Sequence, residues 1–97
     1  MIQNFNYNQA IKQASQVEEI AREMRSVANS KLSNAIATID ASWDGDTSNL
    51  FLRHCNDTKQ QIAARASELD NLAHRIREVA RIRREAELAN LHRKGSP

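Results

Sequence analysis

Proline is all but missing from this chain. The single one, Pro97, is the last residue, so no earlier position is barred from a helix interior by a missing N–H or a ring clash. Glycine is nearly as scarce: Gly95 lies close to the end, and Gly45 alone interrupts the long middle. Aromatic residues make up only 4% of the chain, and Ala, Ile, Leu, Arg, Glu, Asn and Gln stand in their place. That mixture suits helix and suits sheet poorly. One cysteine, Cys55, excludes an internal disulfide and leaves the redox compartment open. No apolar run approaches the ~20 residues of a membrane span. The N-terminal stretch MIQNFNYNQA lacks the basic-then-apolar order of a secretory leader, so export, if it occurs, is expected to use another route.

What is present is a short chain with two helical patterns. Ninety-seven residues are expected to form one domain at most, and because so short a chain buries a smaller fraction of its surface, helix pairing or oligomerisation is expected to supply part of its core. From about residue 8 to residue 40, apolar residues recur at steps of three and four: Ile11, Ala14, Val17, Ala21, Met24, Ala28, Leu32, Ala35 and Ile39. Ile20, Val27 and Ile36 widen that stripe, while Glu18, Glu19, Arg22, Arg25 and Lys31 lie mostly off it. A second pattern covers about 47–91: Leu50/Phe51, Cys55, Thr58, Ile62, Ala66, Leu69, Leu72/Ala73, Ile76 and Val79/Ala80. Residues 92–97 read as a loose tail.

Two helices of ~30 residues joined by a short break are expected to fold into an antiparallel two-helix hairpin. Such a hairpin cannot cover two wide stripes, so dimerising into an all-α four-helix bundle is the expected way to cover the rest. The break, ASWDGDTSNLF, carries the only Trp. Both stripes end there, and an indole can cover the gap between them. Trp43 is expected to act as that lid, Gly45 to supply a positive φ or a close backbone approach, and Asp46 to cap the second helix.

Helix, Trp43-Asp44-Gly45 and helix, with the break near the middle of a chain of this length, resembles the WXG-motif family. These are the small helical-hairpin proteins of type VII secretion, related to the early secreted antigenic target of mycobacteria. The run LDNLAHRIREVA, residues 69–80, is similar to the end of that family's second helix. The resemblance implies a non-enzymatic substrate or co-secreted helper, secreted without a cleaved signal peptide. Its expected partners are itself or a related helical-hairpin protein, a larger secreted toxin, and the membrane ATPase of the export system. The family's export signal pairs the Trp-x-Gly turn with Tyr-x-x-x-Asp/Glu beyond the helical core. Here the Tyr position falls on Arg83 and the acid on Glu87, while His74 and Glu78 form a substitute pair. Tyr7, the only Tyr, stands near the other end of the sequence. The departure favours a chain that travels with a Tyr-bearing partner.

Other chemistries fare worse. Asp40-x-Ser42-x-Asp44-Gly45-Asp46 imitates the opening of a calcium loop, but the twelfth position is Phe51 where a bidentate carboxylate is needed. His54 and Cys55 adjoin each other on a helix, and no second Cys/His cluster completes a zinc site. No nucleophile elbow, phosphate loop or carboxylate cluster is present, so neither an enzyme, a cofactor nor a small-molecule substrate is expected.

Charge is uneven: residues 1–74 sum to −2 and residues 75–97 to +4. Arg77, Arg81 and Arg84 at helical spacing offer the alternative reading, a cytosolic helical adaptor whose basic C-terminal helix binds nucleic acid. Interleaved Glu78, Glu85 and Glu87, and the lack of aromatics in that segment, disfavour it, as they disfavour a membrane surface. The second helix is expected to outrun its neighbour beyond about residue 80, leaving 81–97 as an overhang.

Overall fold

A computed structural model describes residues 5–43 and 45–95, and every element among them is helical. Helix α1 spans Tyr7–Ser26 and helix α2 spans Leu32–Ser42; a π-helical turn, Val27–Lys31, joins them into one bent arm. Helix α3, Gly45–Gly95, forms the second arm without interruption. Its 51 residues reach about 77 Å at 1.5 Å each, which accounts for nearly all of the molecule's 81 Å length.

The start of α1 is built locally. Asn6 has extended backbone, and its Oδ1 accepts the Gln9 N–H at 2.9 Å, satisfying one of the free donors of the first turn. The arm ends at Trp43, whose extended backbone (φ −101°, ψ 154°) cannot continue a helix. Ser42 and Thr38 each return a hydroxyl to the carbonyl four residues earlier, at 2.7 and 3.0 Å.

The two arms run in opposite directions, because Arg77 meets Glu18 while Asp70 meets Arg25. Seven residues separate the members of each pair on each helix, so these contacts fix the register. The register sets Ala14, Ala21 and Ala28 across from Ala80, Ala73 and Ala66. Among the described residues, these six alanines and Ala10 are the buried apolar side chains, and no large side chain is fully buried. Alanine at every seventh position lets two backbones approach closely. Each buried methyl contributes only about 0.8 kcal/mol. Val17, Met24, Leu69 and Ile76 fill the alternate seam positions, half-buried.

Several expectations change here. The break is shorter than 41–46, since helix resumes at Gly45. Asp46 therefore lies inside the first turn of α3 and is not its cap; its carboxylate faces the positive end of the helix dipole instead. Asp44 falls outside the described residues. Gly45 has no positive φ, and a Cβ there would meet nothing within 4 Å, so neither expected reason for glycine applies. Helix also continues through the expected tail to Gly95.

Ala35 is exposed and Ile36 takes its place facing α3. Along α3 the seam is Ser48, Leu52, Cys55, Lys59, Ile62 and Ala66; Leu50, Phe51 and Thr58 are exposed. The described part of the first arm reaches Arg83 and Arg84, further than residue 80. Only about 16 Å of α3 runs on past that point.

Candidate functional site

Three surfaces carry side chains that the packing does not consume. The first is at the break. Trp43 and Phe51 stack at 5.0 Å between ring centroids, tilted by 48°. The indole does not act as a buried lid: Trp43 is 45% exposed, Phe51 40% and neighbouring Leu50 62%. The aromatic pair therefore forms an apolar knob at one tip. Nearby Ser48 is buried, and its Oγ has no hydrogen-bond partner among the described residues.

The second surface is at the opposite end. Arg83 Nε donates to Glu87 Oε1 at 3.3 Å, one helical turn apart. The Arg83 guanidinium lies 5.8 Å from the centre of the Phe5 ring, and that of Arg84 lies 4.6 Å from the centre of the Tyr7 ring. His74 and Glu78 border an open groove of about 370 Å³ together with Tyr7, Ile11, Arg77 and Arg81. Tyr7 thus lines the groove of the His74–Glu78 pair and packs against Arg84, the neighbour of Arg83, although it is far from both pairs in sequence. No signal within either segment could have located it, because the axial register of the two arms is set by contacts between them. Trp43 and Gly45 are not brought to this end: Phe51 and Arg83 are about 48 Å apart along α3.

The third surface distinguishes the two flanks of the seam. One flank is a polar ladder. Arg77 donates to Glu18 Oε1 at 2.6 Å and to Ser15 Oγ at 3.2 Å, and Arg25 reaches Asp70 at 2.7 Å and Ser67 Oγ at 3.4 Å. The hydrogen bond from Arg77 holds the Glu18 carboxyl below its usual pKa and raises that of Arg77 in return. The other flank is apolar and open. Ile20 and Val27 on the first arm and Leu72 and Val79 on α3 are 41–58% exposed. A groove of about 370 Å³ runs there between Phe5, Gln13, Leu72, Ile76 and Val79.

Three of the seven basic residues in 75–97 are held in ion pairs among the described residues. Arg77 engages Glu18, Arg81 engages Glu85 at 3.1 Å, and Arg83 engages Glu87. Phe5 and Tyr7 do bring aromatic rings to it, but arginines already cover those rings. Among the described residues no three His, Cys, Asp or Glu side chains gather as a metal site, and no helix is long and apolar enough to cross a membrane. No known family model, curated protein or solved structure matches the chain.

Proposed function

We propose that this chain is a substrate or co-secreted helper of a type VII secretion system. It works as an antiparallel helical hairpin that pairs with a second hairpin in a four-helix bundle. One observation carries the reading: a Trp-x-Gly break between two long helices presents its indole to solvent, stacked on Phe51, where another protein can contact it. The open apolar flank at Ile20, Val27, Leu72 and Val79 supports pairing, because four aliphatic side chains in two seven-residue steps make a second seam. The opposite flank is occupied by its own ion pairs.

The distance between the tips supports a signal shared between chains. About 48 Å of helix separates Phe51 from Arg83, so one chain cannot offer both features at one point. In an antiparallel pair, the Trp43 tip of one chain lies by the Arg83–Glu87 end of the other. Recognition then depends on the pair, with Tyr7 or the partner's tyrosine supplying the aromatic element.

The test is secretion from native cells with and without the export ATPase. Trp43→Ala, Arg83→Ala/Glu87→Ala and a truncation after Glu87 are compared with wild type. The substitutions and the truncation should abolish export or partner capture while leaving melting within a few degrees. Export that continues without the ATPase, or with Trp43→Ala, overturns the reading. Export lost only with His74→Ala/Glu78→Ala would move the C-terminal signal to that pair.

A further inference from the structure

The seam changes phase inside the first arm. Up to Ala28 the inward positions are Ala10, Ala14, Val17, Ala21, Met24 and Ala28, alternating steps of four and three. At 100° per residue an unbroken α-helix would next turn Leu32, Ala35 and Ile39 inward and Ile36 away. Instead Ala35 is exposed, and Leu32, Ile36 and Ile39 are half-buried. The difference is one residue, and the π-turn Val27–Lys31 absorbs it. The Leu32 N–H donates to the Val27 carbonyl, a five-residue step. Ser33 Oγ donates to the Ala28 carbonyl at 3.2 Å, covering an acceptor near the bulge. Helix α3 has no matching irregularity, since Ser48, Leu52, Cys55, Lys59, Ile62 and Ala66 keep the alternation unbroken.

Nothing in residues 27–42 forbids ordinary α-helix, for the segment holds neither Gly nor Pro. Ala35 would then extend the seven-residue ladder of Ala14, Ala21 and Ala28. We infer that the α2 segment has two seam phases and that the π-turn is the element that switches between them. In the observed phase Leu32, Ile36 and Ile39 are half-buried. In the other, an unbroken helix carries Ala35 inward and turns Ile36 outward, while Leu32 and Ile39 stay on the seam face. The rotation also acts on the tip, because Trp43 follows α2 directly and its contact with Phe51 depends on the azimuth of that helix. A π-turn at the junction of two phases is the kind of bistable element through which a small local change reaches a distant contact.

Thiol labelling in a Cys55→Ser background tests this. Single cysteines are placed by Ile36→Cys and, separately, by Ala35→Cys. Ala35→Cys should label rapidly. Ile36→Cys should label slowly, by an opening that is independent of denaturant and therefore not global unfolding. Deleting Ser30 removes the extra residue and leaves the same aliphatic side chains in one continuous heptad. It should slow Ile36→Cys labelling about tenfold or more and narrow the tryptophan emission to one environment. Ser33→Ala uncovers the Ala28 carbonyl and should speed the same labelling several-fold. Equal Ile36→Cys rates with and without Ser30, labelling that follows global unfolding, or a deletion that lowers the melting temperature would each overturn the inference. The last would show that the fold requires the π-turn.

Discussion

The half of the molecule where α1 lies on α3 and the half where α2 lies on α3 share one long helix and hold together differently. Among the described residues, every buried apolar side chain lies in the first half or, as Ala28 does, on the π-turn at its edge or across from it, and the two cross-helix ion pairs are in the first half. The second half has no buried residue on α2, a half-buried Lys59 in the seam, and the orphaned Ser48 hydroxyl. A close-packed alanine seam tolerates little change in volume. A seam of Leu32, Ile36, Ile39, Leu52 and Cys55, interrupted by polar groups, tolerates more. Stability is therefore concentrated in one half, and the exposed Trp43–Phe51 pair sits at the end of the other.

The largest break in this comparison comes from the alanines. Ala73→Leu forces three extra carbons between two closely apposed backbones and should cost about 1–3 kcal/mol or more. The same change at exposed Ala35 should cost almost nothing. Urea unfolding of both variants checks the contrast; equal losses would mean that the seam is not where the register places it. Ser48→Ala should act in the opposite direction. It removes a buried hydroxyl that lacks a partner among the described residues, so a gain of up to about 1 kcal/mol is expected. A loss would show that the hydroxyl is satisfied in solution.

Trp43→Ala is expected to be milder than a core truncation. With the indole 45% exposed, the loss should be about 1 kcal/mol, mostly from the Phe51 contact, against the 3 or so of a fully buried ring. Phe51→Ala should match it, and the double variant should show the two losses to be non-additive.

The smallest effect is that of acid on the polar ladder. The folded Glu18 carboxyl titrates below its unfolded value of 4.5, so its pairing with Arg77 contributes in full above that pH. The contribution fades as pH falls through the folded value. Wild type should therefore melt slightly above Glu18→Gln at neutral pH and level with it in strong acid. A difference that persists in acid would assign the effect to packing.

The legible part of this fold was the part written as repeats. Alanines at 14, 21 and 28 and at 66, 73 and 80 announce their own face, and Asn6 and Trp43 bound the first arm to within a few residues of the expected limits. The seam beyond Ala28 was harder because two phases fit the same letters. Ala28, Leu32, Ala35 and Ala28, Leu32, Ile36 are both helical spacings, and only the bulge decides between them. On α3, hydrophobicity pointed to Leu50, Phe51 and Thr58. An exposed apolar side chain costs little, though, so hydrophobicity alone does not say which residues face inward.

The sequence by itself determined that the chain is helical, that it breaks once near Trp43, and six of the alanines that let two helices touch; it missed Ala10 and included exposed Ala35. Local propensity, the absence of internal proline and a seven-residue repeat act within one segment, and so they can be read from it. Tertiary structure alone decided where Tyr7 and Phe5 come to rest, which flank keeps its ion pairs, and which residues after Ala28 turn inward. Each of those depends on the axial register of one arm against the other. That register is set by contacts such as Glu18 with Arg77, whose partners lie 59 residues apart in the chain.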